Sequence, residues 1–246
     1  MNRVNADLWK KLIEGNGVGL SDNQASQLNH YHDLLKQWNS KLNLISRRDE
    51  LNIWPSHILH SITPLFLFEF PDGISIADVG SGGGLPGVPL AIVLPQNEIT
   101  MMESIKKKYE ALKDIVSQLR LPNAHVVHGR AEDLPERGMQ IRRFDLVVAR
   151  AVAPLQELIQ WSLNLVGPSR GLSIKAIRRP EVDESPISLP TLLAFKGGTI
   201  ENEISGAARL TKERGVYLFD IRFRGIEQTG LVDKKLILVS LSSGNI

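Results

Sequence analysis

From Ser21 onward, Leu28, Tyr31, Leu34, Leu35 and Trp38 recur at three- and four-residue spacing, which predicts a long helix. Ser21 suits its N-cap, and Gln24 can close a capping box. A second helix is predicted from Trp54-Pro55, with Ile58, Leu59, Ile62 and Leu65 on it and Pro64 distorting it. The texture changes at the turn signal Pro71-Asp72-Gly73. A short apolar strand at 74–79 then runs into a glycine-rich loop and a helix through Leu94. Strands are predicted at 98–103, 124–128 and 143–149, and helices at 106–119 and 155–165. Strand and helix thus alternate four times at short spacing, the signature of a parallel sheet covered by helices. Residues 168–190 hold Pro168, Pro180, Pro186 and Pro190 among basic residues and predict an inserted loop. A strand at 191–196 and a helix at 200–210 follow. Two last strands, 216–222 and 235–241, can pair antiparallel at the sheet edge. The chain therefore divides into a helical extension over 1–70 and an α/β domain over 71–246.

Composition narrows the class. With 246 residues, 42% of them hydrophobic and 23% charged, the chain can fill a sizeable core, which excludes disordered and collagen-like proteins. Lys plus Arg is 29 and Asp plus Glu is 27, so a net charge of +2 neither demands nor forbids a nucleic-acid partner. There is no cysteine, which removes disulfides, Cys-ligated metals and thiol nucleophiles. The N-terminus lacks the apolar run of a signal peptide. The charge-free stretches 51–68 and 79–97 are broken by His, Pro and Gly and do not read as membrane spans. A cytoplasmic protein with no membrane partner is the expectation.

The glycine loop carries the first chemistry. Gly80-x-Gly82-x-Gly84-x-x-Gly87 follows a strand and opens a helix, so its backbone can approach a ligand and offer free N–H groups. Pro86 fits the first turn of that helix. Glu103 ends the next strand, where a carboxylate can accept both ribose hydroxyls of an adenosine-containing ligand. Gly82-x-Gly84-x-x-Gly87 also satisfies the dinucleotide fingerprint, so two cofactor classes compete. Asp78, two residues before the first glycine, separates them. A carboxylate there repels a pyrophosphate but attracts the ammonium of S-adenosylmethionine, so the loop reads as a class I methyltransferase motif.

The run Ala77-Asp78-Val79-Gly80-Ser81-Gly82-Gly83-Gly84-Leu85-Pro86-Gly87-Val88-Pro89-Leu90-Ala91-Ile92 resembles the signature of the RsmG (GidB) family. Members of that family methylate N7 of a guanine in 16S ribosomal RNA. Further pieces match in order: Trp38 to Leu44, Glu103-Ser104 with Lys106-Lys107-Lys108, Arg130 to Asp133, Arg150 to Ala153, and Lys196-Gly197-Gly198. The resemblance spans about residues 21–200 and departs from the family at 168–190. It implies a Rossmann-like S-adenosylmethionine-dependent methyltransferase fold with an N-terminal helical extension. It puts cofactor contacts on Gly80 and Leu85, beside Gly82 as the loop's own candidate, adenine contacts on Ala131 and Glu132, and Arg150 at the end of the fourth strand. It places Lys41 and Asn43 on the RNA side, with 16S rRNA or the small ribosomal subunit as partner.

The chemistry asks for little from the protein. Guanine N7 carries an in-plane lone pair and needs no deprotonation, so alignment and electrostatics replace a general base. The absence of cysteine excludes the covalent route to 5-methylpyrimidines. Ala149-Arg150-Ala151-Val152-Ala153-Pro154 stands where exocyclic-amine methyltransferases carry an Asn/Asp-Pro-Pro-aromatic motif. Arg150 can hold the cofactor carboxylate or an RNA phosphate, or form a structural ion pair. Lys106, Lys107 and Lys108 start a helix, where the dipole disfavours cations; phosphate contact and a solvated face are both open readings. Arg142-Arg143 and Lys196 are further basic candidates. His57 and His60 have metal-ligand spacing but no carboxylate pair beside them, and His125 and His128 face opposite sides of a strand, so no metal is expected. A nicotinamide-dependent oxidoreductase using the same loop, and a non-catalytic S-adenosylmethionine- and RNA-binding protein, remain the alternatives. The methyl transfer would leave S-adenosylhomocysteine as product.

Overall fold

A computed structural model describes residues 3–133, 144–177, 186–211 and 215–241. The chain begins with α1 (Arg3–Glu14) and α2 (Asp22–Asn39). The capping box expected at Ser21 forms: its hydroxyl accepts from Gln24 N, and the Gln24 side chain accepts from Ser21 N. The predicted face of α2 is the buried one, with Leu28, Tyr31, Leu34 and Leu35 inside. Gln24 Nε2 donates to Ile92 O at 2.8 Å and Gln27 Nε2 to Leu119 O at 3.2 Å, which fastens α2 across two later helices.

The next stretch departs from a single helix. A 3-10 turn (Arg47–Asn52) leads into a π-helical turn (Trp54–Leu59), α3 (His60–Ile62) and α4 (Pro64–Leu67). Pro55 lies in the first turn of the π segment and Pro64 starts α4, so the second proline divides the helix as well as bending it. Then come β1 (Phe68–Glu69), β2 (Ser75–Val79), α5 (Gly87–Val93), β3 (Glu98–Glu103), α6 (Lys106–Leu119), β4 (Ala124–His128), β5 (Leu146–Arg150) and α7 (Leu155–Leu165). The chain continues with β6 (Ser173–Ala176), β7 (Ile187–Ser188), β8 (Thr191–Gly197), α8 (Glu201–Leu210), β9 (Val216–Asp220) and β10 (Lys234–Ser240).

The main sheet has seven strands in the order β4-β3-β2-β5-β8-β10-β9. From β4 to β8 every pairing is parallel; β10 runs antiparallel to both β8 and β9, as the final hairpin predicted. The chain steps outward from β2 to β4, then returns to place β5 on the other side of β2. That reversal leaves a crevice beyond the carboxyl ends of β2 and β5, where open α/β sheets bind ligands.

Residues 168–190, expected as a loop, carry β6 and β7, which join β1 in a small antiparallel sheet. Ile174, Ile187 and Leu189 are buried in the main core. Two-residue pairings carry too few alternating positions to stand out among prolines and charges. Arg170, counted among the basic residues of this segment, forks onto Asp145 with two bonds of 2.9 Å and reaches Gly73 O at 3.1 Å. It pins the start of β5 to the turn before β2. Arg178 and Arg179 lie outside the described residues. No helix among the described residues is long and apolar enough to cross a membrane.

Candidate active site

Three glycines give the loop after β2 its shape. Gly80, Gly82 and Gly84 have φ of +69°, +55° and +97°, a region that L side chains rarely adopt. A Cβ on Gly80 would lie 2.8 Å from both methyls of Val152, and one on Gly84 would meet Val88 at 2.5 Å. A Cβ on Gly82 would meet nothing within 4 Å, so this glycine turns its backbone toward open space. The loop is tied down from behind. Gly80 N and Ser81 N donate to Met102 O, and Gly84 N and Leu85 N donate to Ser81 O.

Two carboxylates brace this loop. Glu103 is buried at the end of β3; its Oε2 accepts from Gly82 N at 2.9 Å and its Oε1 from Ile105 N at 2.7 Å. One side chain therefore fixes both the glycine turn and the entry to α6. Asp78 is fully buried, and its Oδ2 accepts from Gly87 N at 2.9 Å. Its Oδ1 is buried and makes no hydrogen bond among the described residues. Burial pushes the Asp78 carboxyl up to about 7, against the opposing pull of the Ser81 and Gly87 contacts and Arg150.

Beside the loop lies a cavity of about 230 Å³. It is bounded by Gly80, Ala131 and Glu132, all predicted, and by Met102, Ser104, Val152 and Trp161, which were not. Trp161 reaches the cavity from α7. Its place in an apolar helical stripe reads as core, so nothing in the sequence marks it. Asp78, Gly82, Leu85, Glu103 and Arg150, the other predicted contacts, are not among the residues that line it, and the Leu85 side chain is buried in the main core.

The N-terminal segment reaches this loop directly. Tyr31, fully buried on α2, donates its hydroxyl to Gly83 O at 3.0 Å. A Cβ on Gly83 would run into Leu35 and Leu44, so α2 and the loop after it form the floor of the glycine turn. Asn39 shapes that loop, its Oδ1 accepting from Leu44 N and Ile45 N and its Nδ2 donating to Glu50. Arg150, at the end of β5, turns toward the π-helical turn. Its Nη2 donates to His57 Nδ1 at 2.9 Å and its Nη1 to Ser56 O at 3.3 Å. Burial lowers Arg150 to about 10, opposed by Tyr31 and Asp78, so the guanidinium stays charged and lies within the field of both.

The basic candidates separate into two groups. Lys41 is exposed, with its ammonium 4.8 Å from the Trp38 ring centroid; Asn43, Lys106 and Lys107 are also exposed. Lys196 is taken up internally, 2.6 Å from Glu203 Oε2 and 3.0 Å from Ala153 O. Glu203 in turn accepts from Leu155 N, so this lysine holds the start of α7 to α8. Arg142 and Arg143 lie outside the described residues. Among the described residues no group of three or more His, Asp or Glu side chains is placed to hold a metal ion.

The sheet order and the crevice define a Rossmann-like methyltransferase fold. The fibrillarin pre-rRNA processing protein of Methanococcus jannaschii superimposes with a TM-score of 0.50 over 74% of each chain at 11% identity, a likeness of fold alone. The family model described as GidB, rRNA small subunit methyltransferase G, matches residues 24–184, and the chain belongs to that family. A ribosomal RNA small subunit methyltransferase G of Phocaeicola vulgatus is 34% identical over 91% of this chain and 94% of its own. One of Brevibacillus brevis is 39% identical over 63% of this chain and 65% of its own, so the match spans a little under two thirds of that relative.

Proposed function

We propose that the protein transfers the methyl group of S-adenosylmethionine to N7 of a guanine in 16S ribosomal RNA. The observation that carries the cofactor assignment is Asp78. A buried carboxylate with an unmatched oxygen under a glycine turn suits a ligand ammonium and penalises a pyrophosphate. The residues present fit the rest of the group. Gly82 leaves room against its backbone, Glu103 at the end of β3 beside that turn is assigned to the ribose, and Ala131 and Glu132, which border the cavity, are assigned to the adenine. Arg150 is the cation for the methionine carboxylate or an RNA phosphate. When bound, the sulfonium supplies an electrophilic methyl group.

The protein's own residues then bind and orient. The Gly80–Gly84 turn, braced by Glu103 and Tyr31, holds the ligand-facing backbone without rearrangement. The attacking N7 lone pair has no proton to lose, so no side chain needs to act as base. Lys41, Asn43, Lys106 and Lys107 form the RNA-facing set, with 16S rRNA or the small subunit as partner and the cytoplasm as the place of reaction. Residues 1–70 act as an extension that completes the site, and 71–246 as the methyltransferase domain. The family to which the chain belongs supports the same reading.

Calorimetry with S-adenosylhomocysteine and with NAD, followed by transfer of labelled methyl groups to small subunits lacking the modification, tests the proposal. Binding of the first ligand only, with label entering 16S rRNA, is the expected result. Binding of NAD alone would move the protein to the oxidoreductases. S-adenosylhomocysteine binding without turnover would make it a non-catalytic binding protein.

A further inference from the structure

The geometry points to His57 as a positioning residue that aims the Arg150 guanidinium. This inference rests on the reading of Arg150 as a group that meets cofactor or RNA. An arginine only donates hydrogen bonds, so the 2.9 Å contact from Nη2 requires a lone pair on His57 Nδ1. The ring is then neutral, with its hydrogen on Nε2, and Nε2 faces Asp49 Oδ2 at 3.5 Å. Two consecutive turns, the 3-10 turn through Asp49 and the π-helical turn through His57, thus meet the end of β5 through Arg150, 93 residues beyond His57.

The grip has a second side. Arg150 Nη1 lies 3.3 Å from Ser56 O and 3.5 Å from both His57 O and His60 Nδ1. His60 is itself buried, with its ring edge-on to Phe195 at 5.2 Å. The charged groups that bear on this pair of histidines are Arg150 and Asp49 on His57, and Arg150 and Lys234 on His60. Burial and Arg150 hold His57 down to about 4, with Asp49 opposing, so the accepting lone pair persists at neutral pH. The contacts of this dock run through Nη1 and Nη2 and leave the Nε–H unengaged among the described residues.

The backbone behind Arg150 is also constrained. Ala151 has φ of +56°, a left-handed conformation that non-glycine residues rarely adopt. It follows β5 and carries the chain to Val152, which packs against Gly80. A strained residue persists where its surroundings over-determine it. Here the contact at Gly80 lies on one side and the histidine dock on the other. Short π-helical turns are often found at functional sites, and this one delivers two carbonyls and a ring nitrogen to a single guanidinium.

His57→Leu removes the acceptor, whereas His57→Asn returns an oxygen close to the place of Nδ1. In the full-length protein, His57→Leu is expected to reproduce Arg150→Met. The same quantity, either S-adenosylhomocysteine affinity or KM for RNA, should worsen about tenfold or more, the scale of a hydrogen bond to a charged group. The double variant should be no worse than either single one, and His57→Asn should recover most of the loss. A folded His57→Leu protein with parental binding and turnover, beside an impaired Arg150→Met, would overturn the positioning role alone. An unimpaired Arg150→Met would remove its premise, and the inference with it. Nitrogen NMR of the imidazole gives an answer even if the leucine variant fails to fold. The Nε2–H tautomer without titration down to pH 5 is expected; an Nδ1–H tautomer or an ordinary histidine titration would overturn the assignment.

Discussion

Replacing Asp78 by Asn should make the ligand-free protein gain stability with rising pH relative to the parent, while weakening cofactor binding. Asp78 is fully buried with one unmatched oxygen, and its carboxyl rises from an ordinary 3.8 to about 7. Below pH 3.8 the folded and unfolded chains both carry the proton, and the site costs nothing. Between there and pH 7 only the folded chain keeps it, so the parent loses stability as pH rises through this window. The span of roughly three pH units corresponds to about 4 kcal/mol at most. Asn carries no charge at any pH. Its amide can cost a fixed amount where Oδ1 now sits, but a fixed amount cancels when two pH values are compared. The stability of the variant minus that of the parent should therefore rise by about 3 kcal/mol between pH 5 and pH 8 in urea denaturation. S-adenosylhomocysteine affinity at pH 8 should fall about tenfold or more, because the amide offers no charge to the ligand ammonium. Equal stability differences at both pH values would show that folded Asp78 ionises ordinarily. Unchanged affinity would show that its free oxygen does not face the ligand.

Gly80→Ala should lower the melting temperature, since the new methyl meets Val152 at 2.8 Å and φ is +69°. Adding Val152→Ala should recover the steric part and leave the ~1–2 kcal/mol backbone part, and full recovery would contradict that division. Glu103→Ala strips the acceptor from Gly82 N and Ile105 N; S-adenosylhomocysteine binding by calorimetry should weaken by about 1–3 kcal/mol, and an unchanged constant would refute the bracing role. RNA affinity should fall steeply with salt. Lys41→Ala and Lys107→Ala should each reduce the logarithmic slope by about 1, whereas Lys196→Ala, its ammonium already on Glu203, should leave the slope unchanged.

Local patterns made the sheet legible. β3, α6, β4 and α7 fall on their predicted residues because each is a continuous apolar or periodic run bounded by turn residues. β6 and β7 were not legible, because Ile174 and Ile187 count as strand residues only once Phe68 and the core are beside them. The π-helical turn was hidden for a related reason: two prolines announce a disturbed helix but not its hydrogen-bond spacing. At the site, spacing alone marked Asp78, Glu103 and the glycines. Their partners are backbone N–H groups of Gly87, Gly82 and Ile105, which carry no sequence signal. His57 meets Arg150 from 93 residues away, and Lys196 is neutralised by Glu203 from the next helix. Such pairings exist only after the chain has folded.

Methyl transfer to a guanine N7 can be read directly. Small ribosomal subunits from cells lacking the activity, incubated with the protein and methyl-labelled S-adenosylmethionine, provide the direct test. Their 16S rRNA is then treated with borohydride and aniline, which cleave the chain at 7-methylguanosine. A single labelled site that is cleaved is the expected result. Label that resists cleavage, or enters another RNA, would contradict it.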